Sequence, residues 1–502
     1  MTVDESLQSV SLYFYSGPKA LLEPCSSNSA ARLIRNGGCL ASAQLTARGV
    51  SSQRLKFPTT LWQDLRGASV QSQKAFLDIV AAQHRRGMEF ICCADLNLRG
   101  ASAGTHFFQQ QPAAGEVELA CLQLANHDKI RLIRMPESEH ASLDRVIKSD
   151  REWAAQRADK YGVPVYKLKG LPWFASETSK SFSNVKARKL ILSILSEMDS
   201  HGWSRAVPFE CTISDHDADS IVFFRNRNDP IQPSLVNSRE FCAIALERHH
   251  KIRLIEGGFV DEKTRAVFEH SVQKHWMYRV NETNRFNESM QMKLQGRPWC
   301  PKSREENIAS ARLICGILQD LWQQGWRWHC AVDLSNSVSD KSTFFLSRST
   351  DTAYEDDMQG GQIACVQPKG KGKVNLVSFP PDTLTKALSD VSSSTWATPL
   401  IKIERHGTNS ATCHFQNMFL HSSHNTDQKI QTANVYTQLL RIIAASSEGT
   451  TMLGTSDISG NYRTEKVAVV VPVPTPLTQM HFSCGFLRLD RIVGFYQNFN
   501  FK

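Results

Sequence analysis

No stretch of this chain reaches the ~18 consecutive apolar residues that a membrane-spanning helix needs. The segment from Met1 to Ser11 carries Asp4 and Glu5 but no basic region followed by an apolar one, so no secretory signal is expected. The 13 cysteines include no Cys-x-x-Cys pair, are irregularly spaced and are odd in number. A zinc ribbon and a fully paired disulfide frame are thereby disfavoured. Several of them (Cys92, Cys93, Cys242, Cys315 and Cys365) fall inside apolar runs. Buried free thiols in a reducing compartment, the cytoplasm or the nucleus, account best for that pattern. The nucleophile elbow, His-Glu-x-x-His, the Rossmann glycines and the kinase signatures are missing as well. No catalytic residue, cofactor site or metal site is assigned, and a non-enzymatic role is expected.

What is present is ordinary globular composition at unusual length. The 502 residues exceed one average domain of ~100–200. A hydrophobic content of 41% and a charged content of 21% allow sizeable cores. The net charge of +9 is scattered along the chain. It permits attraction to nucleic acid or to an anionic membrane surface without demanding either.

Internal repetition organises the sequence. Leu190–Trp203 and Leu313–Trp326 share one pattern: apolar residues at helical spacing, then Gly202-Trp203 and Gly325-Trp326. An earlier copy runs from Ala75 to Gly87, and a weaker one from Leu439 to Gly449. A glycine can take the left-handed conformation that ends a helix. Eight residues after each glycine stands an acid: Asp95, Glu210, Asp333 and Asp457. Aromatic or aliphatic strand cores follow at Phe107-Phe108, Phe223-Phe224, Phe344-Phe345 and Val469–Val471. Next come two apolar runs around a polar turn, the mark of a hairpin. These are Leu119–Leu124 with Lys129–Ile133, Cys242–Leu246 with Lys251–Ile255, and Ile363–Val366 with Lys373–Val377. A second helix then closes near Trp153, Trp276 and Trp396, and a strand leads into the next copy at Lys167–Trp173 and Lys293–Trp299.

The expected fold class is α+β: four tandem diverged copies of a two-layer module, an antiparallel sheet with two helices on one face. Boundaries are placed at 51–165, 166–290, 291–410 and 411–502, the last copy being incomplete. Residues 1–50 form either an independent cap or the missing part of that last copy. Leu12–Pro18 resembles Val374–Pro380, and Ser27–Arg35 reads as a helix after it. Asn281–Asn287, Asp351–Gly361 and Ser422–Lys429 read as polar loops. Ring and rod arrangements of the copies both remain open.

Each candidate for chemistry has a structural reading beside it. The four acids lie in different copies, and a strand-end acid commonly accepts turn hydrogen bonds. Asp215-His-Asp-Ala-Asp219 alternates carboxylates but lacks the glycine and the downstream bidentate Glu of a calcium loop. His249-His250 sits at a hairpin turn whose counterparts are His127-Asp128 and Lys369-Gly370. Gln367–Lys373 is a basic glycine turn in which Lys369, Lys371 and Lys373 could meet phosphates, without P-loop spacing. Lys369, Lys371, Lys373, His249 and His250 are the candidate binding residues. The recurring tryptophans are expected to be core anchors rather than a stacking surface.

The helix–Gly-Trp–strand–loop–aromatic strand pattern of Leu313–Phe345, and Ala81–Phe90, resemble segments of the raftlin family. That resemblance implies a non-enzymatic, membrane-associated adaptor. The chain departs from the family at its start, Met1-Thr2-Val3 in place of a Gly-Cys acylation signal, and its last residues, Asn500-Phe501-Lys502, form no prenylation box. The functional expectation is an intracellular interaction platform or adaptor with protein partners. The alternatives are a nucleic-acid-binding protein and a peripheral membrane adaptor.

Overall fold

The computed structural model describes residues 70–94, 105–110, 116–149, 155–160, 162–173, 181–209, 219–226, 239–258, 260–285, 289–334, 341–349, 361–369, 372–395 and 399–416, single helical residues between 432 and 446, and the backbone of strands within 9–56 and 454–474. These form four six-stranded antiparallel sheets.

Sheet 1 holds β1 (Ser9–Tyr15), β2 (Lys19–Glu23), β3 (Gln44–Arg48), β4 (Ser52–Lys56), β5 (Met88–Ala94) and β6 (Thr105–Gln110). Sheet 2 holds β7 (Val117–Ala125), β8 (Lys129–Ile133), β9 (Gln156–Lys160), β10 (Val163–Lys167), β11 (Arg205–Phe209) and β12 (Ser220–Asn226). Sheet 3 holds β13 (Arg239–Glu247), β14 (Lys251–Glu256), β15 (Val280–Arg285), β16 (Ser289–Leu294), β17 (Arg327–Val332) and β18 (Thr343–Ser349). Sheet 4 holds β19 (Gly361–Lys369), β20 (Lys373–Val377), β21 (Leu400–Arg405), β22 (Ala411–Phe415), β23 (Gly454–Ser456) and β24 (Ala468–Pro474). Each sheet is three hairpins in one spatial order: second hairpin, first hairpin, third hairpin, as in β9-β10-β8-β7-β12-β11.

The helices are α1 (Val70–His84), α2 (Glu137–Ser149), α3 (Ser181–Ser200), α4 (Glu262–His275), α5 (Arg304–Trp322) and α6 (Pro381–Ser393). The long ones end where the sequence places a glycine: Gly87, Gly202 and Gly325 have φ of 76°, 81° and 88°. In two of them the following tryptophan N–H closes the last turn, Trp203 onto the Met198 carbonyl and Trp326 onto that of Leu321.

The sheets follow one another through shared cores. The α1 residues Phe76, Ile79 and Val80 pack between Phe90 and Phe108 of sheet 1 and Cys121, Val165 and Val222 of sheet 2. The next core joins Leu122, Ile130 and Phe223 to α3 and then to Phe241, Ala243 and Ile255 of sheet 3. The third joins Ile244 and Leu254 to α5 and to Ile363, Cys365 and Val377 of sheet 4. The fourth closes the circle: Ala364, Val374 and Leu376 of sheet 4, with Tyr436 and Leu439, pack on Ile91, Cys92 and Phe107 of sheet 1. At the centre the third hairpins meet, β5 on β11, β11 on β17, β17 on β23 and β23 on β5. The chain is therefore a ring of alternating sheets and helices.

This arrangement corrects the expectations in four respects. The central strands are covered on both faces, the second face by the preceding long helix, which is why β7 and β13 are buried over seven consecutive residues. Strands β1 to β4 pair within sheet 1 and do not complete sheet 4; Leu12–Tyr15 is part of the first strand, and Lys19–Glu23 takes the place matched to β20. The boundaries expected at 51, 166, 291 and 411 fall inside sheets, because the Gly-Trp pattern marks the middle of a sheet's sequence and not its start. Most of Asn281–Asn287 is strand, β15, not loop. The loops expected at 422–429 and over most of 351–361, and the helix expected at 27–35, lie outside the described residues.

The central edges are protected from pairing with one another. A register shift interrupts β5 between Phe90 and Cys92, and another interrupts β17 between Trp328 and Cys330. Pro208 lies within β11. Bulges and proline are the devices that keep strand edges from joining. Side chains help to knit the centre: the Arg205 guanidinium donates to the Phe90 carbonyl and the Glu89 carboxylate.

Candidate functional site: a cationic row at the hairpin tips

The first hairpin of sheets 2, 3 and 4 turns through a left-handed residue, Asn126 (φ 54°), Arg248 (φ 51°) or Gly372 (φ 75°). The carbonyls of these turns hold the second hairpin in place. His127 accepts from the Trp173 N–H and Asp128 from Leu168; His249 accepts from Trp299 and His250 from Leu294; Gly372 accepts from Phe415. His249 and His250 are therefore half-buried structural turn residues, not freely solvated ones. The indole N–H of Trp173 donates to the Lys129 carbonyl and that of Trp299 to Lys251. Trp173, Trp203, Trp299 and Trp326 are buried, as expected of core anchors. Trp153 and Trp396 lie outside the described residues.

One residue beyond each tip the register sets two basic positions opposite one another. Lys19 pairs with Lys56 in sheet 1, Lys129 with Lys167 in sheet 2, Lys251 with Lys293 in sheet 3 and Lys373 with His414 in sheet 4. Directly opposed like charges destabilise an antiparallel pair, yet a basic pair stands at this level in every sheet. The outer members of the same row differ. In sheet 1 they are Tyr15 and Gln44, and in sheet 2 Ala125 and Gln156. In sheet 3 they are Glu247 and Glu282, which balance the lysines. In sheet 4 they are Lys369 and Lys402, so the row reads Lys369–Lys373–His414–Lys402.

The corner of sheet 4 is organised around one carboxylate. Glu404 accepts from Arg304, the first residue of α5, and from Lys402, while His414 Nε2 lies 3.3 Å from it. Lys402 above all, helped by His414 and Arg304, holds the Glu404 carboxyl down at about 2. Burial, with Arg304, Lys369 and Lys402 nearby, lowers the Lys373 ammonium. Burial also lowers His414 against the pull of Glu404. In sheet 3 burial and then Arg248 lower Lys251, and burial with Lys293, Lys251 and Arg248 lowers His250. Crowded positive charge with depressed proton affinity is a surface that gains from an anion.

Of the candidate residues, Lys369 and Lys373 belong to this row, His249 and His250 lie at the equivalent tip one sheet away, and Lys371 lies outside the described residues. Lys402, His414, Arg304 and Glu404 escaped the sequence reading. The available signal was the lysine that opens the second strand of every first hairpin, which marks register and, as the fold shows, also a charge.

Other polar clusters are structural. Ser271 Oγ and His275 Nε2 both face Asp320, at 2.6 and 3.0 Å, which joins α4 to α5 and leaves no serine–histidine bond of the kind a nucleophile requires. Arg225 binds Glu118 and Glu139 over the Trp203 ring, and Arg348 binds Glu240 and Asp261 over Trp326, at equivalent places in sheets 2 and 3. The Asp219 carboxylate receives the Asp333 N–H at 2.7 Å, and the Asp219 N–H donates back to the Asp333 carbonyl, tying sheet 2 to sheet 3. Asp95, Glu210, Asp457, Asp215 and Asp217 lie outside the described residues. Among the described residues no three His, Cys, Asp or Glu side chains gather as a metal-ligand set. The nine described cysteines form no disulfide with one another; burial pushes Cys413 up to about 12 and Cys92, Cys121 and Cys330 higher still. No described helix is long and apolar enough to cross a membrane.

One uncharacterised domain family matches the chain twice, over residues 118–224 and 240–347. Those limits coincide with sheets 2 and 3, from the first strand of each to the last. No curated protein matches the chain.

Proposed function

We propose that the chain is a non-enzymatic interaction platform, four diverged copies of one module closed into a ring, which holds anionic regions of protein partners on its hairpin-tip end. The observation that carries this reading is the basic cross-strand pair at one level of every sheet. Each sheet meets the next through equivalent elements, so equivalent positions fall on the same end of the ring. A pair of like charges costs stability wherever it is not used, and repeated binding is a use common to all four. The outer members of each row and the polar tips vary, which suits partners of differing shape. An affinity pulldown from native lysate, repeated after nuclease treatment and at raised salt, tests the proposal. Specific proteins that survive nuclease treatment and are released as salt rises support it.

The same lysines support a second reading, a nucleic-acid-binding protein. Recovery of nucleic acid that is lost steeply as salt rises would replace the platform reading with that one. The kinship with raftlins, and with it a place on an anionic membrane surface, is a third proposal. It rests on the segments Leu313–Phe345 and Ala81–Phe90, and flotation with vesicles containing phosphatidylserine tests it. The cytoplasm or nucleus remains the proposed compartment, on the strength of the free cysteines.

A further inference from the structure

The third hairpins meet at the centre, so each sheet leaves one strand at the perimeter of the ring: β3, β9, β15 and β21. A strand edge invites pairing with another chain, and a bulge is one device that prevents it. A register shift interrupts β15 between Val280 and Glu282, and another interrupts β21 between Leu400 and Lys402. β9 has no such interruption. It pairs with β10 over all five of its residues, contains no proline, and is exposed at every position. Only two residues separate Lys160 from Val163 across the turn, so that pair exchanges backbone hydrogen bonds. Alternation then bonds Ala158 to Val165 and Gln156 to Lys167. Pro164, which has no N–H, lies opposite Asp159, at a position in this ladder that needs none. The backbone N–H and C=O groups of Arg157 and Asp159 therefore point outward, and no described residue bonds to them. β3 is regular as well, but it contains no acidic residue.

The side chains decide what fits this edge. Arg157 and Asp159 project from the same face, the guanidinium 3.9 Å from the carboxylate, which is beyond hydrogen-bond length, and the Asp159 side chain is 74% exposed. We propose that two copies of this chain join β9 to β9, antiparallel about a two-fold axis at Ala158, into one continuous twelve-stranded sheet. In that register Arg157 of each copy stands directly opposite Asp159 of the other. The same two positions carry the outward backbone groups, so each Arg157–Asp159 pair exchanges both hydrogen bonds. Gln156 meets Lys160, the small Ala158 meets its own counterpart on the axis, and no like charges are directly opposed. Charge guards an edge where pairing sets like signs together; here pairing sets opposite signs together. The contact is isologous and closes at the dimer. It is narrow, five residues from each copy, and so belongs with weak, concentration-dependent interfaces. The dimer goes beyond the platform reading and does not depend on it.

The test is sedimentation velocity of the full chain over roughly 1–300 µM. The expected result is a reversible monomer–dimer equilibrium with no larger species. R157D and D159R each set like charges together and should weaken the dimer tenfold or more. An equimolar mixture of the two should restore it, because every acidic position then meets a basic one. D159P removes an outward N–H and leaves the bonds to β10 in place, and it should weaken the dimer as much. In the wild-type chain the Arg157 and Asp159 amides should exchange hydrogen more slowly as concentration rises, a reading that needs no variant to fold. A monomer throughout the range, species beyond the dimer, dimerisation unchanged in R157D and D159R, no dimer in their mixture, or amide exchange indifferent to concentration overturns the proposal. Each of those results leaves the pulldown test of the platform untouched, and a failed pulldown leaves the sedimentation test untouched.

Discussion

Arg253 shows how a single residue sets the interior of sheet 3. Its side chain is fully buried, binds Glu247 through two nitrogens at 3.1 Å each, and donates to Ser289 Oγ at 2.9 Å. Arg188 of α3 approaches the same carboxylate at 4.0 Å and donates to Thr343. Removing one partner of a buried pair leaves an uncompensated charge, at a cost of about 3–5 kcal/mol. Arg253→Met should fall near the lower limit because Arg188 remains, and the double variant with Glu247→Leu should recover much of the loss; urea denaturation measures both. His329 makes a different prediction. Burial first, and Arg239 second, push its imidazole down to about 3 from 6.5. The fold therefore favours the neutral ring, while the unfolded chain takes up a proton near 6.5. The stability from this group is complete above pH 6.5 and is lost as pH falls towards 3, at up to about 1.4 kcal/mol per pH unit. His329→Phe, whose ring suits the edge-on contact with Phe241 at 5.4 Å, should flatten the stability curve over that interval. An unchanged slope in acid-range urea titrations would remove His329 from the account.

At the scale of elements, close helix packing depends on one missing side chain. A Cβ at Gly316 would lie 2.3 Å from the His275 ring, so α5 can approach α4 only with glycine there. Gly316→Ala should cost about 1–3 kcal/mol by overpacking. Adding His275→Ala should restore much of that, as a double-mutant cycle in urea would read. Legibility also divides at this scale. The first hairpins were readable because both strands are buried on both faces and form continuous apolar runs around a polar turn. The outer strands β9, β15 and β21 were not. β9 is exposed along its length, and in β15 and β21 no residue is fully buried, so a sequence such as Val-Asn-Glu-Thr-Asn-Arg has no alternation to betray a strand. The phase of the repeat was hidden for a related reason. Periodicity shows that units recur, but pairing between residues such as Phe223 and Ala120, about a hundred positions apart, decides which hairpins share a sheet. The cationic row was half legible: Lys369 and Lys373 flank a turn and are visible together, whereas His414 and Lys402 join them only through register across β22 and β21.

At the scale of the whole molecule, ring closure makes the two ends of the described chain interdependent. Sheet 1 is built from the first strands and sheet 4 from the last, and no strand is exchanged between them. Their union rests on one core, in which Tyr436 is central, and on the meeting of β23 with β5. Tyr436 is fully buried, its ring lies 6.0 Å from that of Phe107 in sheet 1, and its hydroxyl donates to the Val366 carbonyl in sheet 4 at 3.2 Å. Tyr436→Ala should remove a contact to both sheets and cost about 3–5 kcal/mol, the range for a large aromatic truncated in a core. Because the loss falls at the closure, amide hydrogen exchange should accelerate together in β5 and β6 of sheet 1 and in β19 and β20 of sheet 4. The core between sheets 2 and 3 contains neither residue and should keep its protection, since cooperative units open separately when their contacts are separate. Loss confined to β19 and β20 would mean that sheets 1 and 4 touch without supporting one another. The ring would then be a shape and not a source of stability.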